Sequence, residues 1–347
     1  FRNIIINGDM SIAQRGTSTA SITTDGYYTV DRFNFEIGGS SVWTQSQASD
    51  APSGQGFTYS LKMDCTTAQA SPASNDIVLV GQSIEGHMLQ SIKQGTANAE
   101  QTTLSFWHKH TKTGTNIVEL LDADNSNAVS GSYTQSVSDT WEKATITFPA
   151  NTSGTYDNDN ARSLRIRFIM SAGSDYTSGT LATTWQTTVT DANRYVGQVN
   201  NADSTSNNFI ITGVQYEVAT VASEFEFLPF AANLTRCQRY FQKSYNVNVN
   251  PATSTSVGEQ TIGGGSDSGG NISTMLTQHG EMRAAPTIVG YAGGTSGVWG
   301  VNRSGASGTG TFNSHRHGQH STSGYANIGA GWTVGWITGH FTMSSEL

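Results

Sequence analysis

Charge, proline and cysteine are all scarce in this sequence, and each shortage excludes something. Only 13% of the 347 residues are Asp, Glu, Lys or Arg, against about 25% in an average globular chain. Eighteen basic residues face 26 acidic ones, for a net charge of −8. The basic residues are scattered singly, with no stripe or run to follow a phosphate backbone, so no nucleic-acid partner is expected. No apolar run approaches the roughly 20 residues of a membrane span, so no membrane insertion is expected. Two cysteines, Cys65 and Cys237, make no disulfide framework and read as small buried apolar side chains. The opening residues, FRNIIINGDM, lack the charged and apolar regions of a signal peptide. The chain opens on Phe rather than Met, which leaves room for a preceding segment. Six prolines against 38 glycines suit many tight turns and no polyproline stretch.

What is present is β pattern, in short runs bounded by Gly, Ser, Asn and Asp: YYTVDRFNFEI, YSLKMDC, DIVLVGQSI, TTLSFWHKH, EKATITFPA, SLRIRFIM and NFIITGVQYEV. In SLRIRFIM, Leu164, Ile166, Phe168 and Met170 share one face, a period of two. One short helix is predicted in HMLQSIKQGTAN, with Met88, Leu89 and Ile92 on one side and Gly95 as its stop. A second is predicted in NLTRCQRYFQKS, capped by Asn233, with Leu234, Cys237, Tyr240 and Phe241 as its apolar stripe. Between the last strand and that helix, SEFEFLPF places Phe225, Phe227 and Pro229 on one side. Residues 247–275 are polar and Gly-rich and read as a long hairpin loop or a mobile surface segment. Strand signals return at 282–292, 297–302, 326–336 and 337–347. The expected fold class is all-β: an N-terminal jelly-roll β-sandwich (1–230), a short helical connector (231–246) and a smaller C-terminal β-sandwich (247–347). The stripe of the connector is expected to seat the two domains on each other or one chain against its copies.

Catalytic signatures are missing. No phosphate loop, HExxH or G-x-S-x-G occurs. A glycosidase needs two carboxylates facing one cleft, and Glu36, Glu85, Glu119 and Glu142 cannot be paired from sequence. Cys237 lies on an apolar stripe, which argues for burial over nucleophilic chemistry. No enzymatic activity and no required cofactor are expected. Two metal readings stand beside plain polar turns: Ca2+ at Asp157 and Asp159 in TYDNDNAR, and a transition metal at His315 and His317 in HRHGQH, completed by three chains on an axis. Among the seven tryptophans, Trp107 and Trp141 sit in strand-like runs and read as core. Trp185 and Trp299 sit in loop-like surroundings and, with Tyr325, are the candidate ligand-binding rings.

The stretch ITGVQYEVATVASEFEFLPFAANLTRCQRYFQKS resembles a segment that recurs in bacteriophage tail-fibre and related virion proteins, of the form ITGVQLE…FE-RP…CQRYF-KS. RNIIINGDMSIAQRGTS…YYTVDRF is similar to the start of the same family's sandwich. TTLSFWHKH and DTWEKATITFPA look like strands of carbohydrate-binding-module-like jelly rolls, and HFTMSSEL is similar to the short β terminus of such fibres. SEFEFLPF departs from the pattern by lacking its Arg.

The resemblance implies a non-enzymatic structural or receptor-binding protein, usually a homotrimer, assembled with other virion proteins in a host cytoplasm and then carried outside on the particle. A tail-fibre or receptor-binding subunit contacting host-surface polysaccharide is the favoured expectation, with the C-terminal unit as its tip. The alternatives are a capsid decoration or purely architectural virion protein, and a polysaccharide depolymerase.

Overall fold

The computed structural model describes residues 2–265, 267, 270–303, 306–329 and 334–347. The chain divides into two compact units, one of Phe1–Ile12, Thr17–Pro229 and Leu347, the other of Ala13–Gly16 and Phe230–Glu346. Both are built from β-strands.

The first unit is a jelly-roll sandwich of twelve strands: β1 (Ser18–Ile22), β2 (Gly26–Tyr27), β3 (Asn34–Ile37), β4 (Val42–Ala48), β5 (Ser60–Thr67), β6 (Ile77–Glu85), β7 (Thr102–His110), β8 (Gly114–Asp122), β9 (Asn127–Gln135), β10 (Glu142–Phe148), β11 (Arg162–Ala172) and β12 (Asn208–Val218). One sheet runs β1-β4-β5-β12-β7-β10 and the other β2-β3-β6-β11-β8-β9. Every pairing is antiparallel. Alternation along each strand sends one set of side chains inward. Phe106, Leu104, Phe168, Ile166, Leu164, Phe209 and Trp43 meet there, all 0–1% exposed. The predicted inward face of β11 is thus correct: Leu164, Ile166, Phe168 and Met170 are buried.

The predicted helix at 87–98 is instead two 3-10 turns, Gly86–Met88 and Gln90–Ile92. Lys93 then turns left-handed, at φ 54°. Leu89 and Ile92 are still buried, so the apolar spacing was read correctly and the helix type was not. Two apolar anchors three residues apart are served by short 3-10 turns, and propensity alone does not extend these into a helix. A four-residue helix, α1 (Ser174–Thr177), lies after β11.

The second unit holds α2 (Phe230–Gln238) and β13 (Phe241–Lys243), β14 (Gln260–Gly265), β15 (Asn271–Met275), β16 (Thr287–Ala292), β17 (Thr295–Ser296), β18 (Val298–Arg303), β19 (Ala306–His315), β20 (Ser323–Asn327) and β21 (Val334–Ser344). Its strands form one nine-stranded network, with β21 pairing β13, β14, β16 and β18. Trp299, Ile337, Phe341, Met343 and Met282 make its core.

Helix α2 starts at Phe230, four residues behind the expected entry, because Pro229 suits a helix start. Asn233 is therefore buried within the helix rather than capping it. The helix stops at Gln238, where the Tyr240 N–H bonds to the Cys237 carbonyl at 2.9 Å and the chain turns into β13. The expected four-residue stripe is thus divided. Leu234 and Cys237 are helical, Tyr240 is in the turn and Phe241 opens a strand. Cys237, Tyr240 and Phe241 are buried and Leu234 is half-buried. The Gly-rich stretch read as loop includes β14, whose glycines pair with β21; they lack the side chains on which a strand reading depends.

Residues 13–16 complete this second unit. The Lys243 ammonium is buried and donates to the carbonyls of Gln14, Val247 and Val249 at 2.6, 2.8 and 2.7 Å. Gln14 Nε2 donates to the Phe241 carbonyl, and Arg15 pairs with Glu346 at 3.0 Å. A buried ammonium is tolerated because three oxygens replace its water.

Candidate binding site

Strand β7 sets the site by parity. Leu104, Phe106 and His108 point into the sandwich; Ser105, Trp107 and Lys109 point out of it. Trp107 is half-buried on that outer face. Its register partners are Lys143 of β10 on one side and Thr212 of β12 on the other. Trp107 and Trp141, both read as core from sequence, are therefore outer-face residues. Trp141 precedes β10 and is half-buried.

Beside Trp107 the β12 ladder is irregular. The register shifts between Thr212 and Gln215, and Gly213 has φ 61°, a bulge of the kind glycine permits. A Cβ there would lie 2.6 Å from Phe57 Cζ. The missing side chain lets the Phe57 ring settle directly on the sheet. Phe225 and Phe227 complete a ring cluster with it, at centroid distances of 5.0 Å from Phe57 and 4.8 Å from each other. Edge and tilted contacts of this kind are favourable for aromatic quadrupoles. Phe227 remains 50% exposed.

The strand carrying GVQYE also holds that wall. Gln215 Oε1 accepts the Glu226 N–H at 2.8 Å, and Gln215 Nε2 donates to Ser223 Oγ and the Glu224 carbonyl. Glu217 accepts the Ser223 N–H and hydroxyl. Glu226 accepts the N–H groups of Arg2 and Asn3 at 2.8 Å. Gly213, Gln215 and Glu217 of the motif thus each have a role: one admits Phe57, the others pin the segment that carries Phe225 and Phe227.

Between Trp107 and the phenylalanines is an open pocket of ≈ 270 Å³, lined also by Gln55, Ser105, Lys143 and Glu224. Lys143 makes no ion pair with a described residue, whereas Lys62 is held by Asp64 at 2.9 Å and Lys109 by Asp50 at 2.9 Å. Next along the face, the Trp141 indole N–H donates to Asp50 Oδ1 at 3.0 Å. Burial pushes the Asp50 carboxyl up, but the Lys109 and Trp141 hydrogen bonds outweigh it and hold the pKa below the usual carboxylate value. The Trp141 ring is thereby fixed by its edge. The arrangement offers flat apolar surface with donors and acceptors at its rim.

The rings expected to bind ligand lie elsewhere. Trp185 is half-buried against the core and donates to the Pro149 carbonyl at 2.8 Å. Trp299 is 0% exposed, packs on Phe312 and donates to the His340 carbonyl, so its ring is closed to any ligand. Glycine neighbours suggested exposure, but Gly339 and Gly290 are the bare positions onto which Trp299 and Phe312 pack. Tyr325 is half-buried, 5.3 Å from the His315 ring. Trp332 lies outside the described residues.

Asp157 and Asp159 are exposed. Asp159 accepts the Ala161 N–H and the Asp157 N–H donates to Asp124. His317 Nδ1 lies 3.0 Å from the Pro286 carbonyl. No group of three or more His, Cys, Asp or Glu poised for a metal occurs among the described residues.

The four carboxylates that sequence left unpaired are each engaged. Glu36 pairs with Arg165, Glu85 with His87 at 2.7 Å and Glu119 with Arg194 at 2.7 Å, while Glu142 accepts the N–H groups of Ser136 and Val137. Cys65 and Cys237 are both buried and are not joined in a disulfide. No described helix is long and apolar enough to cross a membrane, which leaves membrane β-barrels unaddressed.

No protein-family model matches the sequence, and no curated protein matches it. Some solved structures are similar to part of the chain. One is the enzymatically active domain of bacteriophage CBA120 tailspike protein 4, at 16% identity and TM-score 0.34 over 62% of this chain. The match spans 21% of that tailspike chain. A second is the family 11 carbohydrate-binding module of the cellulase Lic26A-Cel5E of Clostridium thermocellum, at 12% identity and TM-score 0.30, covering 59% of this chain and 98% of the module. A third is TmCBM61 in complex with β-1,4-galactotriose, at 10% identity and TM-score 0.30, covering 63% and 100%.

Proposed function

We propose that this chain is a non-enzymatic, glycan-binding virion protein, a tail-fibre or receptor-binding subunit that holds host-surface polysaccharide at the Trp107 pocket. The observation that carries the binding reading is the pocket itself. A half-buried indole faces a cluster of three phenylalanines across ≈ 270 Å³, with Lys143, Glu224, Gln55 and Ser105 around it. The C–H face of a pyranose packs on flat aromatic rings, and its hydroxyls need donors and acceptors at the edge. Glu224 is the sole carboxylate in the lining, and glycoside cleavage of the usual kind needs two, which favours binding without hydrolysis. The virion reading rests on the GVQYE and CQRYF resemblance. It carries the expectations of self-association as a homotrimer and of display on an extracellular particle.

The test is a panel of bacterial surface oligosaccharides presented to the wild type and to Trp107→Ala. The wild type is expected to retain at least one member and the variant to lose it by about tenfold or more, as for a central aromatic anchor. Because Trp107 is only half-buried, thermal stability should change little. Equal retention of every bound sugar by both proteins, or release of shortened sugar, would contradict the proposal. Light scattering tests the assembly: a 36.9 kDa chain forming a trimer gives about 110 kDa.

A further inference from the structure

Among the described residues of the second unit, one large aromatic ring on a strand is open to solvent. Trp336, in β21, is 48% exposed. Its neighbour Ile337 points the other way into the core, at 0%, so alternation puts Trp336 and Thr338 together on the outer face. Across the sheet, Trp336 lies opposite Gly263 of β14 and Asn302 of β18, and Thr338 lies opposite Thr261 and Gly300. The hydroxyls of Thr261 and Thr338 are 3.0 Å apart. Glycine places nothing against the indole from the β14 side, since a Cβ on Gly263 would meet only the Gly335 oxygen and Trp336 Cβ, each at 3.8 Å.

This is a flat ring set among small hydroxyl, amide and bare-backbone positions. A contiguous exposed apolar patch is the feature that marks a protein-docking surface. Here the cross-strand neighbours are Gly, Thr and Asn, none of them apolar in bulk and none ionised. That chemistry fits a neutral sugar: an apolar C–H face for the indole, and hydroxyls for Thr261, Thr338 and Asn302. We propose that Trp336 is a second carbohydrate-binding platform, in the C-terminal unit, which takes a neutral pyranose independently of the Trp107 pocket.

The experiment uses the full chain on a printed array of neutral oligosaccharides of glucose, galactose, mannose and N-acetylglucosamine. Trp107→Ala is compared with Trp107→Ala/Trp336→Ala and Trp107→Ala/Trp336→Phe. Trp107→Ala is expected to keep binding at least one neutral sugar. Adding Trp336→Ala should cut that binding about tenfold, and Trp336→Phe, which keeps a ring and protects the fold, should retain part of it. The proposal is overturned if both double variants bind as Trp107→Ala does. It is equally overturned if Trp107→Ala alone binds none of these sugars, a result that leaves the first pocket standing.

Discussion

At the scale of single residues, two buried histidines couple this fold to pH. His110 is fully buried, stacked on Phe209 at 3.9 Å and 12°, and its Nε2 lies 2.9 Å from the Tyr133 hydroxyl. Its Nδ1 accepts the Ile210 N–H, so the neutral ring is the one that fits. His108 Nδ1 lies 2.8 Å from Gln135 Oε1. Burial depresses both pKa values, and His108 adds to the effect at His110; Gln135 and Glu142 oppose it only at His108. In the unfolded chain both rings titrate near the ordinary value of about 6.5. The unfolded state therefore takes up protons first as pH falls. Stability is full above about 6.5 and declines as the pH drops through the folded values, by up to about 1.4 kcal/mol per pH unit per proton. The melting temperature of the sandwich should hold steady from pH 8 to 7 and fall between 6.5 and 5. His110→Gln should flatten that fall, and a profile unchanged by it would refute the assignment.

Glu119 is the second residue-scale case. Its carboxylate is fully buried against Arg194 (2.7 and 2.8 Å), Arg167 (3.2 Å) and the Tyr195 hydroxyl (3.1 Å). Burial raises its pKa, but the two arginines prevail and the net shift is downward. Removing one member leaves guanidinium charge without its partner, at a cost of about 3 kcal/mol or more. Glu119→Gln should lower the melting temperature by roughly 6–12 °C for a unit of this size, measured by calorimetry at pH 7.5. A change of under 2 °C would mean that water already screens the cluster.

Among elements, strand β7 shows how much of the site was legible beforehand. Its period of two is plain in TTLSFWHKH, and the parity that buries Leu104 and Phe106 puts Trp107 with Ser105 and Lys109 on the outside. The strand period carries that signal; the general preference of tryptophan for the core points the other way. The wall opposite was half legible. Phe225 and Phe227 do share a side, as SEFEFLPF indicated, and they meet at 4.8 Å. Their meeting with Phe57 depends on a bulge at Gly213 and on side-chain bonds from Gln215 and Glu217, none of which local periodicity encodes. Helix α2 failed in the same way. The spacing of Leu234, Cys237 and Phe241 is helical, yet pairing of Phe241 with Ser344 of β21, about a hundred residues away, draws the last of them into a strand. Non-local pairing decides such boundaries, and one sequence contains no record of it.

At the scale of the whole molecule, the all-β class and the sandwich followed from alternation repeated over many short segments, the most robust signal a sequence carries. The second unit was harder because its strands are rich in glycine, and a glycine strand has no pattern of faces. Low charge is consistent with this architecture: few ionised groups need a partner, and some, such as Arg167 with Glu119 and Arg165 with Glu36, find it on another strand.

The central claim, that the Trp107 pocket binds a glycan, is tested most directly by following the indole N–H resonances of the intact chain while titrating the tightest-binding oligosaccharide of the panel. The Trp107 signal is expected to shift in a saturable way, with Trp141 following as the ligand extends along the face. Trp43, buried and bonded to Ser41 at 3.0 Å, should stay in place. Saturable binding that leaves Trp107 unmoved in a chain carrying Trp336→Ala, which silences the second platform, would contradict the account.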